Sequence, residues 1–221
     1  MDPQHSLIVN SFHSFLGQSE FPCVAAKDAL AKGDLKIMVA EHMACPVNDR
    51  DILNFLYDFI GAFRNKEKGF HSAAIIFKQP GKMDEAMFDQ FMWQRLQALR
   101  NMDAANYAYD SRVDDDPASP AFSFSLMEEA FFVLGLHPGS SRAARQFEYP
   151  ALVFNPHAQF EKMKRTASYD KMKVIVRKRD IDYSGSVNPM LTDFGKTSEV
   201  FQYSGRKYDS SWRCPLNNNN T

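Results

Sequence analysis

The stretch FSFSLMEEAFFVLGLHPGSSR, residues 122–142, indicates the fold more clearly than any other part of the chain. Two apolar, β-prone runs, Phe122 to Leu126 and Ala130 to Leu136, flank the short connection Met127 to Glu129, a pattern typical of a β-hairpin. The second run ends at His137-Pro138-Gly139, where proline and glycine stop a strand. The sequence therefore predicts an antiparallel pair of strands, followed directly by a loop that carries a histidine.

Short β-prone segments and amphipathic helical segments occur on both sides of this hairpin. Three further strands are predicted, over Leu35 to Val39, His71 to Phe77 and Ala151 to Phe154. Helices are predicted over residues 51–64, 84–100, 156–165 and 170–179, where apolar residues recur at helical spacing. Because hairpin-like and crossover-like connections are mixed, we expect a single α+β domain. Its small central β-sheet, mostly antiparallel or mixed, would be packed by several helices.

The predicted domain covers residues 1–216. Residues 1–33 have apolar positions at helical spacing and are expected to form an N-terminal helical cap, with a break at Phe21-Pro22. Regular periodicity is lost after Asp182, so residues 183–216 are predicted to be an irregular segment that lines the site. The asparagine-rich end, residues 217–221, is predicted to be a disordered tail.

Composition excludes several classes of protein. The 221 residues are 44% hydrophobic and include 19 phenylalanines, enough for a substantial core. A net charge of -1 lacks the field that binding to nucleic acid requires. Neither an apolar run of about 18 residues nor a leader with a basic start is present, so we expect no membrane association. The widely separated Cys23, Cys45 and Cys214 indicate free thiols, and hence a cytoplasmic protein.

His137 marks the first candidate site. A strand end that leads into the start of a helix presents an imidazole beside unpaired backbone N–H groups, and here the hydroxyls of Ser140 and Ser141 and the guanidinium of Arg142 follow. Such a set can bind an anionic group or a cofactor near a metal-binding histidine. The alternative is that Ser140 only caps the helix and His137 only fills a loop.

His157 occupies a similar junction. It follows the strand Tyr149 to Phe154, with Asn155 as a natural N-cap and Pro156 at the first helical position. A helix N-terminus disfavours the protonated imidazole and leaves a neutral nitrogen that can bind a metal. A surface imidazole without a ligand is the alternative.

Two cysteines and the polar C-terminal segment supply further candidates. Cys23 and Cys214 each lie beside a proline and near an aromatic residue, and either could be a thiolate ligand or a nucleophile. Free cysteines are also commonly small buried hydrophobic residues. Residues 186–206 are dense in polar side chains without periodicity, which is typical of a segment that lines a site. A C-terminal wrap held by bonds from side chains to the backbone is the alternative.

Seven short motifs, taken in chain order, resemble those of the YqcI/YcgG family: FPC at 21–23, HPGSSR at 137–142, FNPHAQF at 154–160, NPML at 188–191, SE at 198–199, QYSG at 202–205 and WRCP at 212–215. Some members of that family are heme proteins that hydroxylate a guanidine nitrogen in the biosynthesis of D-cycloserine or guanitoxin. The resemblance therefore implies a heme-dependent oxygenase acting on a nitrogen of a small, arginine-like guanidine or amine substrate. Dioxygen and an external electron donor or redox partner would be needed.

The resemblance also implies roles for individual residues. His137 is expected to be the axial iron ligand, with His157 as its rival and Cys23 or Cys214 as alternatives. The heme propionates or the substrate would be contacted by Ser140, Ser141 and Arg142. Glu199 is expected to pair with the substrate cation, because a fixed carboxylate is its natural partner. Residues expected to orient the substrate or an iron-bound oxygen species are Asn188, Gln202 and Tyr203.

Other classes of function stay open at this point. A heme-binding sensor or carrier would bind gas ligands without forming a product. A non-heme metal enzyme would use His137, His157 and a carboxylate, and it would lack a Soret band. A noncatalytic interaction protein would contain neither cofactor nor metal. A homodimer is compatible with each of these.

Overall fold

A five-stranded β-sheet in the order β1-β2-β5-β4-β3 forms the centre of the protein. The computed structural model describes residues 2–66, 69–164, 168–186, 190 and 195–218. The strands are β1 Leu35–His42, β2 Ser72–Gln79, β3 Phe124–Leu126, β4 Glu129–Leu136 and β5 Ala151–Pro156. β1 and β2 are parallel, and the other neighbours are antiparallel. The predicted α+β fold with a mixed sheet is therefore confirmed.

Helices cover both faces of this sheet. They are α1 Pro3–Gly17, α2 Val24–Lys32, α3 Asp49–Arg64, α4 Glu85–Ala104, α5 His157–Lys164, α6 Ser168–Ser184 and α7 Val200–Tyr203. One apolar core lies between the sheet and α3, α4 and α7, and a second lies between the sheet and α1. Because both faces are covered, the interior strand β2 is an almost continuous apolar run, buried from Ser72 to Phe77.

The predicted hairpin is confirmed as β3 and β4. Met127 and Glu128 connect the strands with positive φ angles of 49° and 56°, as the tight turn of a two-residue hairpin requires. The adjacent Glu129 points inward and pairs with Arg112, whereas Glu128 is exposed. The two adjacent carboxylates therefore lie in different environments, one in the exposed turn and one in the buried start of β4.

The helix predicted directly after His137 is wrong. The chain forms a single 3-10 turn, Ala143–Arg145, because two hydrogen bonds fold it back on itself. The backbone N–H of His137 donates to the carbonyl of Arg145 at 3.0 Å, and the Gln146 amide donates to the carbonyl of Ser140 at 2.6 Å. Ser140 Oγ accepts from the backbone N–H of Arg142 in a local turn and caps no helix.

The prediction that Asn155 is a helix N-cap is also wrong. Strand β5 continues through Pro156, which pairs with Phe131, so α5 begins only at His157. The Asn155 side chain lies within the sheet, where it accepts from Ser72 Oγ at 2.7 Å and donates to the carbonyl of Phe132 at 3.2 Å. Its amide bridges the strands on either side of β5.

Helices lie near both ends of the chain. α1 and α2 precede β1, and the short helix α7 lies within residues 183–216. Ordered contacts extend two residues beyond 216, because Asn217 bonds to Gln97 and Asn218 bonds to the carbonyl of Asp115. Among the described helices, none is both long and apolar enough to cross a membrane.

We expect Gly139→Ala to destabilise the fold. A Cβ at Gly139 would lie 2.1 Å from the carbonyl oxygen of Met83, a backbone atom that cannot move aside alone. Overpacking of this kind costs about 1–3 kcal/mol. Urea unfolding should show this loss, while the control Gly81→Ala, whose Cβ would meet nothing within 4 Å, should change stability little. Equal stability of the two variants would contradict the close approach at Gly139.

Candidate functional site

His137 is a buried histidine at the end of β4. Its side chain is 1% exposed, and its ring stacks on Phe88 with centroids 4.3 Å apart and an interplanar angle of 17°. Burial lowers the pKa of His137 to about 4, so the imidazole is neutral near pH 7. Its Nδ1 atom is buried and meets no hydrogen-bond partner within the described part of the chain. Leaving such a buried group unsatisfied costs about 1–3 kcal/mol, so the Nδ1 atom is a candidate to bind a ligand or a water molecule.

The loop after His137 is held between α4 and α6. Ser141 donates to Glu85 of α4 through its backbone N–H at 2.8 Å and its hydroxyl at 2.7 Å. Arg142 donates to Asp180 of α6 at 2.7 Å and to the carbonyl of Ser186 at 2.9 Å. The polar side chains predicted to contact a cofactor thus lie in the His137 loop, and each already has a partner in the protein.

Arg145 is a positioning residue that the sequence analysis missed. Its guanidinium donates to the carbonyls of Gly135 at 2.9 Å, Tyr203 at 3.0 Å and Gln202 at 2.9 Å. Burial lowers the pKa of Arg145 to about 10, which leaves the group charged near pH 7. Nothing in the spacing of the loop distinguishes Arg145 from Arg142 before the strand and the helix are brought together.

Glu199 and Tyr203 form a buried pair that joins α7 to the hairpin. Glu199 accepts a hydrogen bond from Ser123 Oγ at 2.8 Å and another from the Tyr203 hydroxyl. The Tyr203 hydroxyl also accepts from the backbone N–H of Phe124 at 3.1 Å. Burial raises the pKa of Glu199 to about 8. The carboxyl group therefore has a structural role in holding α7.

The structure brings α7 next to β4 but separates Glu199 from His137. The Tyr203 hydroxyl contacts the carbonyl of Phe131, and His137 lies six residues further along the chain, about 20 Å for an extended strand. From the sequence, Glu199 is expected to hold a substrate cation beside His137. The geometry does not place Glu199 close enough to His137 for this role. The Gln202 side chain is buried, and the backbone carbonyl of Gln202 accepts a hydrogen bond from Arg145. Asn188 lies outside the described residues.

A family comparison decides the classification of the chain. The model of the YqcI/YcgG family matches residues 12–217. The chain belongs to the YqcI/YcgG family. One relative is the uncharacterized protein YqcI of Bacillus subtilis strain 168, which is 25% identical over 190 residues, covering 83% of this chain and 74% of that protein. No solved structure matches the chain.

In this YqcI/YcgG protein the two candidate histidines lie at opposite ends of the sheet. Strands β4 and β5 are antiparallel, so the end of β4 before His137 pairs with Ala151, at the start of β5. His157 follows the other end of β5, where burial lowers its pKa and its Nε2 lies 4.0 Å from Glu161. A site that uses both histidines is not formed. No group of three or more His, Cys, Asp or Glu side chains that could hold a metal occurs among the residues the structure describes.

The two candidate cysteines are thiols in their present surroundings. Cys23 caps α2, where its sulfur accepts from the backbone N–H of Ala26 at 3.4 Å. Burial raises the pKa of Cys23 and raises the pKa of Cys214 to about 12. Because the thiolate is the form that binds a metal, both are weaker candidates than the neutral His137 imidazole.

A cavity of about 420 Å³ lies on a different side of α7 from the hairpin. Its walls include Val200, Phe201, Trp212, Cys214 and the loop 115–118. His137 is not part of its lining. This cavity and the His137 loop are therefore separate features of the molecule.

We expect the stability of the protein to fall as pH rises through the range set by Glu199. Burial in the folded state raises the pKa of Glu199 from 4.5 to about 8. As pH rises, the carboxyl group of Glu199 therefore loses its proton at a lower pH in the unfolded chain than in the folded protein. The contribution of the protonated Glu199 to the free energy of unfolding is complete below pH 4.5. It decreases as pH rises from 4.5 to about 8, where it is lost. Glu199→Gln removes this dependence, about 1.4 kcal/mol per pH unit within that window.

Urea unfolding of the wild type, Glu199→Gln and the exposed control Glu128→Gln between pH 5 and pH 8 measures this effect. The stability of Glu199→Gln relative to the wild type should increase across this range, and that of Glu128→Gln should stay constant. Parallel curves for all three proteins would show that Glu199 ionises normally in the folded state.

Proposed function

We propose that this member of the YqcI/YcgG family is a heme-dependent oxygenase. It hydroxylates a nitrogen of a small, arginine-like substrate that contains a guanidine or amine, with dioxygen and an external electron donor. Support comes from family membership, since the resemblance described above implies heme-dependent N-hydroxylation, and from the chemistry of His137.

The observation that carries the proposal is the unpartnered Nδ1 atom of His137. Iron is bound by a neutral imidazole, and burial lowers the pKa of His137 to about 4, so near pH 7 the ring has one nitrogen that carries no proton. The Phe88 ring fixes the plane of the imidazole from one side. The donor chemistry at His137 therefore fits a ligand to heme iron, and among the described residues no group of three or more His, Cys, Asp or Glu side chains favours the non-heme alternative.

Other residues of the loop would support the bound cofactor. Arg142, which pairs with Asp180 in this structure, is the residue proposed to bind a heme propionate. Ser140 and Ser141 would supply further hydrogen bonds to the propionate or to the substrate. When bound, the heme would supply the activation of dioxygen. The protein would keep His137 neutral, hold the ring through Phe88 and exclude water from the buried side of the loop.

Access to His137 would require movement of α6. The helix contacts the 143–145 turn, which is bonded to His137, and it is tied to the loop by the pair of Arg142 and Asp180. Its described side chains are partly or fully exposed, among them Val174 at 66% and Ile181 at 47%. Because the described side chains of α6 bury little apolar surface, displacement of this helix would cost little hydrophobic free energy.

The proposal includes a cytoplasmic location and a small-molecule substrate. Cys23, Cys45 and Cys214 are all free thiols, as is usual in a reducing compartment. The same compartment would supply the reductant. The small-molecule substrate, the external electron donor and assembly as a homodimer belong to the same proposal.

Hemin titration of the wild type, His137→Ala and the matched control His157→Ala tests the ligand. The wild type and His157→Ala should develop a Soret band that shifts with carbon monoxide after reduction. His137→Ala should bind hemin at least about tenfold more weakly, because an iron–ligand bond contributes more than 1.4 kcal/mol. Loss of hemin binding in His157→Ala alone would show that His157, and not His137, is the iron ligand. The absence of a Soret band in all three proteins would overturn the heme proposal.

The enzymatic part of the proposal has its own measurement. The hemin-loaded protein with a chemical reductant and dioxygen should convert small guanidines or amines into products one oxygen atom heavier, detected by mass spectrometry. A protein that binds heme and carbon monoxide but forms no such product from a panel of these compounds would be a sensor or carrier instead.

A further inference from the structure

An aromatic cluster lies where the C-terminal segment packs on α4. The rings of Tyr208 and Trp212 stack with centroids 3.8 Å apart and an interplanar angle of 23°. Trp212 also lies 6.0 Å from Trp93 of α4, and Phe201 packs edge-on against Trp212 at 5.2 Å. Two oxidisable aromatic side chains, those of Tyr208 and Trp212, are thus in direct contact with each other.

Asp89 connects the members of this cluster through hydrogen bonds. Its Oδ1 accepts from the Tyr208 hydroxyl and, at 2.9 Å, from Trp93 Nε1. Its Oδ2 lies 3.6 Å from the guanidinium of Arg206, and Ser204 Oγ lies 2.6 Å from the Tyr208 hydroxyl. Asp89 is 7% exposed, so the phenol of Tyr208 faces a buried carboxylate that has a nearby cation.

The cluster reaches the surface through the cavity of about 420 Å³ at the C-terminal segment. Trp212 lines this cavity and is partly exposed, whereas Tyr208 lies behind it with 7% exposure. A molecule in the cavity therefore contacts Trp212, and electron transfer to it from Tyr208 passes through the stacked rings.

We propose that Tyr208 is a redox-active tyrosine that is oxidised through Trp212. A high-potential metal complex that reaches the cavity acts as the one-electron oxidant and takes one electron from Trp212, and Tyr208 then transfers one electron to the Trp212 radical cation. The O–H bond of Tyr208 breaks in the same event and its proton passes to Asp89. The products are a neutral tyrosyl radical, a protonated Asp89, an indole restored to its initial state and the reduced oxidant.

The transfer of the proton to Asp89 is required because a phenol that loses an electron becomes a strong acid. In a buried site a proton without an acceptor would leave an uncompensated charge. The reverse step is equally defined: one electron from a reductant and the proton from Asp89 restore the phenol. The pair of Tyr208 and Asp89 can therefore store and release a single oxidising equivalent.

Two other tyrosines that bond to carboxylates lack parts of this arrangement. Tyr57 donates to Asp103 at 2.8 Å, but the ring that it packs against is Tyr107. Tyr203 donates a hydrogen bond to Glu199. The pKa of Glu199, raised to about 8, leaves its carboxyl group protonated near pH 7, so it cannot take up the proton of the phenol. Tyr208 combines a stacked tryptophan at the cavity with a carboxylate that has a cation beside it.

This role does not require the proposed heme. Trp93 continues the cluster inward, because its ring lies 5.9 Å from that of Tyr203, whose carbonyl binds Arg145.

Oxidation of the full-length protein by photogenerated tris(bipyridine)ruthenium(III), followed by rapid freezing and electron paramagnetic resonance, tests the proposal. The wild type should give a tyrosyl signal. Tyr208→Phe, which keeps the ring but removes the hydroxyl, should lose most of that signal and retain a tryptophan radical. The matched control Tyr57→Phe removes another tyrosine bonded to a carboxylate and should leave the signal unchanged.

Asp89→Asn and Trp212→Phe test the proton and electron steps. Each should slow the appearance of the tyrosyl radical in transient absorption, and circular dichroism checks that each variant is folded. If Asp89→Asn does not fold, Trp212→Phe and Tyr208→Phe still decide the question. A wild type without a tyrosyl signal, or a Tyr208→Phe protein with the full signal, would overturn the proposal. The heme content of the same samples is measured separately, so this outcome does not depend on that of the proposed oxygenase function.

Discussion

The contact on which the site depends is the guanidinium of Arg145 between β4 and α7. It satisfies the last carbonyls of α7, at Gln202 and Tyr203, together with the carbonyl of Gly135. A cation at the C-terminus of a helix is favourable in itself. The backbone of the same residue accepts the N–H of His137, so a single residue fixes both the His137 loop and α7.

Much of the fold could be predicted from the sequence because its signals are local. Alternating apolar runs around Met127 and Glu128 indicate the hairpin, and periodicity indicates α3 and α4. The order and direction of strands are not local properties. His137 and His157 look equivalent along the chain, yet the antiparallel pairing of β4 and β5 places them at opposite ends of the sheet.

The candidate site could be predicted only in part, because several motif residues have structural roles. Asn155 bridges β2 and β4, and the Gln159 amide bonds to both the N–H and the carbonyl of His71. Glu199 holds α7 to the hairpin. Arg145 gave no sequence signal, because its partners are backbone carbonyls from distant segments. A family motif thus identifies the chain more reliably than it identifies which residues meet a ligand.

The proposed function depends on the buried, neutral imidazole of His137, whose Nδ1 atom has no hydrogen-bond partner among the described residues. The most direct measurement is a crystal structure of the protein after loading with hemin. The account predicts iron bonded to the His137 imidazole, with Phe88 still against the ring and α6 displaced from its contact with the 143–145 turn. Iron bonded to His157 or to a cysteine sulfur, or hemin seated only in the cavity at Trp212, would contradict it.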